Sequence, residues 1–218
     1  MKKKFNWQSP LLNFLAVILG VYLAFYINEN AKEKEAKQES LMWLKSVQND
    51  IKGDIRTYEN YQIPINQQHA ANIDSLLQLL SEADMSSVTS LLPQVFQVEN
   101  FGPTTSTYNS MKASGKIGLI TDQALQKSIA DYYENMAMES VEKGQFQVDY
   151  FTDELLTWMT YHIDLETMQV VSEKELMVFK NKLILYGSTI QQKVKSYQNL
   201  VKESKELRDL IETHLESS

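Results

Sequence analysis

The amino-acid sequence predicts an all-α protein, in which an N-terminal transmembrane helix continues into an elongated antiparallel helical bundle. The 218 residues include only 7 Gly and 4 Pro, and the abundance of Leu, Glu, Gln, Lys and Met favours helices over sheets. An uncharged apolar run occupies residues 11–27. Beyond residue 40, apolar residues recur three or four positions apart, which is typical of amphipathic helices.

The apolar run contains one strongly polar residue, Asn13. At 1.5 Å per residue it covers roughly 25 Å, and the uncharged flanks Ser9, Pro10 and Asn28 extend it to about 30 Å, the thickness of a hydrocarbon core. A cleavable secretory signal is the alternative interpretation, but residues 25–29 offer no pair of small residues for cleavage. The run is therefore predicted to be an uncleaved anchor in the lipid bilayer.

Positive charge predicts the orientation of this anchor. Lys2, Lys3 and Lys4 precede it without any acidic residue, whereas residues 29–39 mix three lysines with four glutamates. The positive-inside bias favours a cytoplasmic N-terminus. In a bacterium, the protein would then be a single-pass inner-membrane protein with its main domain in the periplasm.

Four segments follow from these features. Residues 1–9 form a short basic cytoplasmic N-terminus, residues 10–28 the transmembrane helix, and residues 29–40 a charged helical stalk without a helix breaker. Residues 41–218 form a helical bundle domain with an irregular connection near 81–103, where Pro93, Gly102 and Pro103 lie.

One face of the transmembrane helix carries small and polar residues at a spacing of three or four, which aligns them along the helix. Small residues allow a second helix to approach closely, and an amide within a membrane seeks a hydrogen-bonding partner. The stripe predicts docking onto another membrane helix or a second copy, although small residues are common in membrane helices in general. It consists of Asn13, Ala16, Gly20 and Ala24.

A heptad-like seam begins after the stalk. It could form an intermolecular coiled coil, but it spans fewer than four heptads and includes Gln48 and Gln62, so packing within the chain's own bundle is favoured. Pro64 is expected to end or kink this helix at Ile63. The apolar positions of the seam are Leu41, Leu44, Ile51, Ile55 and Tyr58.

Further boundaries are predicted from caps and breakers. A short helix is expected after Ser86 or Ser87, and Gly115 is expected to stop a helix in the left-handed conformation. Thr121 is expected to open the next helix, with Asp122 as an acidic residue in its first turn. That helix carries an apolar stripe at Leu125, Ile129, Tyr133, Met136, Val148, Phe151, Leu155, Met159 and Ile163, with Gly144 as a bend or close contact.

The last predicted helix, capped by Ser172, is long enough to require a partner along its length, and the preceding long helix is the simplest candidate. Its stripe consists of Leu176, Phe179, Leu183, Tyr186, Ile190, Val194, Tyr197, Val201, Leu207, Ile211 and Leu215.

Composition excludes several classes of function. Beyond residue 28 there are 18 Lys and Arg (21 minus the first three) against 28 Asp and Glu, and this net charge of −10 disfavours nucleic-acid binding. Without cysteine there is no disulfide or thiol chemistry. His69, His162 and His214 lack metal-binding spacing, and His162 is expected to pack at a core boundary. No catalytic residue, metal or cofactor is predicted, and the protein is not expected to be an enzyme.

Carboxylate pairs four residues apart occur twice, at Asp50 with Asp54 and at Asp149 with Asp153. They would be chemically important if they faced a bundle interior, but no Glu-x-x-His motif accompanies them. Both pairs are therefore predicted to lie on solvated faces.

Two blocks resemble a family of uncharacterised single-pass membrane proteins of Gram-negative bacteria. Residues 17–61 contain GVYLA followed by a Leu-x-x-Leu helix, and residues 108–136 contain YNSMKASGKIG followed by a helix with Tyr132-Tyr133. Asn30 or Ala31 stands where the family often has Trp. The resemblance implies a membrane helix followed by a helical domain, and it implies no activity or site.

These observations predict a non-enzymatic, membrane-anchored structural or accessory subunit that docks onto other membrane protein subunits or forms a homo-oligomer. The alternative is a periplasmic sensor or ligand-binding helical bundle that signals through a partner. A ligand that raises the melting temperature of the bundle would favour the alternative.

Overall fold

The computed structural model describes residues 8–164, 166–167, 169–170 and 173–218. It confirms the predicted fold class, since nearly all of these residues belong to helices packed in a bundle. The predicted basic flank at Lys2–Lys4 and the predicted helix cap at Ser172 lie outside the described residues.

The first long element is a helical rod that leads from the apolar segment to the far end of the bundle. It is continuous over three parts: α1 (Gln8–Thr57), a π-helical turn (Tyr58–Gln62) and α2 (Ile63–Glu82). The rod ends where Ala83 adopts a left-handed conformation with φ of 58°. The charged stalk is helical, as its composition predicted.

Pro64 does not end this helix. Proline lacks an N–H and its ring crowds the carbonyl four residues earlier, which is that of Asn60. Asn60 lies in the π-helical turn, where the Ile63 N–H bonds to the Tyr58 carbonyl five residues back. The wider turn changes the hydrogen-bond pattern immediately before Pro64, and the chain remains helical through it.

A connector returns along the bundle toward the stalk. Its first helix begins at Met85, because the Asp84 carboxylate caps it by accepting from the Ser87 N–H at 3.2 Å; the prediction of a start after Ser86 or Ser87 was thus wrong. Gly115, in the left-handed conformation with φ of +70°, ends the α-helix Ser106–Ala113, as predicted. The helical parts of the connector are α3 (Met85–Leu91), a 3-10 helix (Leu92–Phe96), α4 (Ser106–Ala113) and a second 3-10 helix (Lys116–Leu119).

The second rod starts one residue later than the predicted Thr121, because Asp122 is its cap and accepts from the N–H groups of Ala124 and Leu125. It is continuous but contains two π-helical turns, and each turn shifts the phase of the buried stripe. Its parts are α5 (Gln123–Asp131), Tyr132–Met136, α6 (Ala137–Asp149), Tyr150–Leu156 and α7 (Thr157–His162).

A two-stranded antiparallel ladder turns the chain back at the far end, with β1 (Ile163–Asp164) paired to β2 (Gln169–Val170). The third rod, α8 (Glu173–Glu216), then runs about 66 Å back along the bundle. It packs against α1, α2 and α6, so both earlier rods are its partners rather than the second rod alone. At its end, Lys37 donates to the Ser218 carbonyl at 2.9 Å.

Two apolar cores stabilise the bundle. The base core, near the stalk, is formed by α1, α4, α5 and the end of α8, and the tip core by α2, α3, α7 and the start of α8. The largest fully buried base residues are Leu44, Ile51, Tyr58, Tyr132 and Tyr197; those of the tip are Ile73, Leu76, Leu80, Leu92, Phe179 and Tyr186.

Candidate functional sites: an exposed apolar helix and a buried polar layer

The apolar segment of α1 has no partner within the described chain. Among the described residues, one helix, Leu12–Glu82, is long and apolar enough to cross a membrane, and none of its apolar window is buried. The predicted stripe lies on one exposed face of it, and a Cβ built at Gly20 would meet nothing within 4 Å. This face is therefore open to another helix.

The predicted seam lies elsewhere on α1. Leu44, Ile51, Ile55 and the adjoining Tyr58 are buried in the base core, and Leu41 is half-buried beside them. Tyr58 packs edge-on against Tyr197 of α8, with ring centroids 4.8 Å apart. These residues contact the chain's own helices.

A layer of buried polar side chains separates the base core from the tip core. Tyr58 contacts Tyr197, and His69 contacts Tyr186 with ring centroids 5.5 Å apart, so α2 and α8 run antiparallel in a defined register. Gln62 lies four residues after Tyr58, and Lys193 lies four residues before Tyr197. Gln62 and Lys193 are therefore at about the same height in the bundle. Each member exposes 4% or less of its surface: Gln62, Asn66, His69, Gln147 and Lys193.

Lys193 is the only cation among the fully buried residues that the structure describes. Its ammonium donates to the Glu99 carbonyl at 2.5 Å and to Gln147 Oε1, and it lies 5.9 Å from the Tyr197 ring centroid. Gln147 in turn donates to the Tyr186 hydroxyl at 2.9 Å. Because burial removes hydration from the charged form, the pKa of Lys193 falls to about 8.

Three polar atoms on the α2 side of the layer are buried without a hydrogen-bond partner: Gln62 Oε1, Asn66 Oδ1 and His69 Nε2. Burial, together with the positive charge of Lys193, lowers the pKa of His69 to about 4, although a hydrogen bond with the Val95 backbone opposes the shift. His69 is therefore a neutral imidazole at pH 7.

The connector crosses the second and third rods at this layer. Asn100 lies against Gly144, the Phe101 N–H donates to the Tyr197 hydroxyl at 3.2 Å, and that hydroxyl lies 3.1 Å from Asn100 Oδ1. A Cβ at Gly144 would lie 2.0 Å from Asn100 Oδ1. The predicted close contact at Gly144 thus exists, and it holds the connector in place.

We expect Gly144→Ala to lower the free energy of unfolding by about 1 kcal/mol, because overpacking displaces Asn100 and exceeds the gain in helix propensity. Gly53→Ala is the matched control. Its added Cβ meets nothing within 4 Å, so it should raise stability by about 1 kcal/mol. Urea unfolding of the full chain in a non-ionic detergent measures both.

The same experiment has an internal test. In an Asn100→Ala background, Gly144→Ala should no longer be destabilising, since the clashing side chain is gone. Equal stabilisation by both alanine substitutions in the wild-type background would contradict the close contact.

The predicted solvation of the pair Asp50 and Asp54 was wrong. Asp50 is half-buried, and Asp54 is buried. Its carboxylate is 2% exposed and accepts from both the N–H and the hydroxyl of Thr104, each at 2.8 Å. Burial raises the pKa of Asp54, and the Thr104 bonds oppose this rise. Asp149 and Asp153 are exposed, as predicted. The connector thus has a second attachment to α1, in the base core.

His162 packs at the boundary of the tip core. Its ring stacks on Trp158 at 4.8 Å, and its Nδ1 lies 2.8 Å from Glu175 Oε1. This is the boundary-packing position that the sequence predicted.

The side chains of the layer are enclosed within the bundle. Lys193 is enclosed by the connector and α6, with no exposed surface. Among the described residues, no three His, Cys, Asp or Glu side chains are grouped so as to hold a metal ion.

Sequence reasoning missed this layer. Lys193 neighbours the predicted stripe residue Val194, and Gln147 neighbours the predicted Val148, which is only half-buried. The polar residues Gln62, Asn66 and His69, spaced four and three apart on one helical face, were the available signal.

A comparison with protein families matches residues 13–174 to a family of unknown function, DUF6090. The match covers most of the chain. The protein belongs to the DUF6090 family. This agrees with the resemblance seen in the sequence to a family without a known activity. Curated proteins and solved structures give no match.

The DUF6090 match ends at residue 174, just after the start of α8. It includes the apolar helix, the connector and the whole second rod. Of the buried layer, it includes Gln62, Asn66, His69 and Gln147, whereas Lys193 lies beyond it.

Proposed function

We propose that this DUF6090 protein is a non-enzymatic, membrane-anchored structural or accessory subunit. The continuity of α1 carries the proposal. One uninterrupted helix leads from the exposed apolar segment into the base core. A helix bound to the apolar segment would therefore be connected mechanically to the whole bundle.

The proposed anchor is a single-pass helix in the inner membrane of a Gram-negative bacterium, with a cytoplasmic N-terminus and a periplasmic bundle. Three lysines lie on each side of the helix, but those before it stand without an acidic residue and those after it are mixed with four glutamates, which supports this orientation. Alkaline phosphatase fused after Ser218 should be active, because it folds with disulfides in the periplasm. A fusion partner that works only in the cytoplasm, placed at the same position, should be inactive. The reverse pattern would contradict the orientation.

The proposed docking surface is the stripe of Asn13, Ala16, Gly20 and Ala24. It is exposed along its whole length, and its small side chains permit close helix contact. The partner is another membrane protein subunit or a second copy of this chain.

Gly20→Ile should reduce association by roughly tenfold, equivalent to ~1.4 kcal/mol, because the added side chain separates the two helix backbones. Ile18→Phe is the matched control, since it adds bulk to the opposite face of the same helix. The protein is solubilised gently and purified through a tag placed after Ser218. Its native mass is then measured, and the proteins that copurify are identified.

Each result bears on the proposal. A discrete complex with other membrane proteins that is lost in Gly20→Ile, and kept in Ile18→Phe, supports an accessory subunit. A complex containing only this chain supports the homo-oligomer. A monomer in the wild type, or equal association in all three proteins, would refute the docking stripe and direct attention to ligand binding by the bundle.

A further inference from the structure

The buried polar layer contains hydrogen-bonding capacity that the protein leaves unused. Gln62 Oε1, Asn66 Oδ1 and His69 Nε2 have no partner, although each of these residues exposes 4% or less of its surface. An unpaired buried polar atom costs about 1–3 kcal/mol, so three such atoms in one layer indicate that something else pairs with them.

The three atoms share one helical face, because the residues are spaced four and three apart. The Asn66 amide nitrogen donates to the Gln62 backbone carbonyl at 2.7 Å, so its Oδ1 is the free atom. On the opposite side of the layer, the Lys193 ammonium uses two of its three protons for Glu99 and Gln147. The layer thus offers free acceptors and a free charged donor.

We propose that this layer is an internal hydration site, where ordered water accepts from the Lys193 ammonium and donates to Gln62 Oε1 and Asn66 Oδ1. His69 Nε2 is a further acceptor for the same water cluster. Buried waters in proteins typically make about three hydrogen bonds to otherwise unpaired polar groups.

Water satisfies this set of partners better than other small ligands. The bound species must both accept from an ammonium and donate to amide oxygens. Chloride accepts but donates nothing, so it leaves the two amide oxygens unpaired. A metal cation would be repelled by the ammonium of Lys193. An organic molecule has no open access to the layer, because no member has more than 4% of its surface exposed.

Oxygen-17 magnetic relaxation dispersion of the full chain in detergent micelles counts long-lived internal water molecules. Asn66→Leu replaces the amide by an apolar side chain of similar size, and should remove at least one of these waters. Asn72→Leu is the matched control on the same helix, because the Asn72 side chain pairs with Gln68 on the outside. It should leave the number of waters unchanged.

The same number of long-lived waters in all three proteins would overturn the proposal. If Asn66→Leu does not unfold cooperatively, Gln62→Leu replaces it, with the same expected loss. A crystal structure of the wild type at about 2 Å gives an independent test. Density for water within hydrogen-bond distance of Lys193 Nζ and an amide oxygen supports the proposal, and direct pairing of both amide oxygens with protein donors refutes it.

Discussion

Acidification from pH 7 to pH 4 should lower the free energy of unfolding by about 3 kcal/mol through His69 alone. Its pKa is about 4 in the folded chain, against 6.5 for an ordinary histidine. Between these values the unfolded chain binds the proton and the folded chain does not, so stability is lost as the pH falls through this window.

The structure gives the physical reason for this sensitivity. A proton on His69 would place a second positive charge near Lys193, inside a layer closed to solvent. The Tyr186 ring packs edge-on against the imidazole and provides no carboxylate to balance the charge. Folded protein therefore resists protonation, and acid favours the unfolded chain.

Urea unfolding of the full chain in a non-ionic detergent, repeated at several pH values, measures this effect. His69→Gln removes the titrating group and should lose about 3 kcal/mol less than the wild type over the same range. His162→Gln, at the partly exposed boundary position, should keep the acid sensitivity that His69 causes. Carboxylates contribute equally to all three proteins, so the difference isolates His69. If the free energy of unfolding falls equally with pH in the wild type and in His69→Gln, His69 is not the cause of the acid sensitivity.

Alkaline conditions should have the opposite effect through Lys193. Raising the pH from 7 to 9.5 should increase the free energy of unfolding by about 2 kcal/mol. The pKa of the folded ammonium is about 8, below the 10.5 of an ordinary lysine. Between these values the unfolded chain binds more protons than the folded chain, so stability rises with pH.

At the upper limit of pH 9.5, most unfolded tyrosine is still protonated. Burial raises the pKa values of Tyr58, Tyr133 and Tyr186, so the protein loses stability as unfolded tyrosine ionises near pH 10, and this loss does not depend on Lys193. Below that pH, Lys193 is the buried group whose pKa falls within the measured range.

Lys193→Met should abolish the alkaline gain, because methionine keeps an unbranched apolar chain without the ammonium. Lys195→Met is the matched control, two residues further along α8 and exposed. It should retain the gain of about 2 kcal/mol. If Lys193→Met and Lys195→Met show the same pH dependence as the wild type, Lys193 does not titrate in this range in the folded protein.

Features that depend on a few neighbouring residues were predictable. The left-handed stop at Gly115 requires only local backbone geometry and occurs as expected, and the cap at Asp122 lies one residue from the predicted Thr121. The stripe of α8 is buried from Phe179 to Ile211 because regular helical spacing persists over that length. The exposed apolar helix followed from composition alone.

Predictions failed where the helices depart from regular spacing. The π-helical turn before Pro64 preserves the helix, and two further π turns change which side chains of the second rod face inward. Gln147 is consequently buried where Val148 was expected. Such π-helical turns have no reliable pattern over a short stretch of sequence. A prediction based on regular helical spacing therefore assigns the wrong side chains to the buried face after the turn.

The sequence by itself therefore determined the helical class, the apolar N-terminal helix and several local boundaries, since these depend on propensity, capping and periodicity within a few residues. Only the tertiary structure decided that Lys193, His69 and Gln147 lie in one layer crossed by the connector at Asn100, and that Asp54 is buried. Those contacts join residues up to about a hundred positions apart. Their existence depends on the antiparallel register of α2 and α8 and on the path of the connector, which no local pattern specifies.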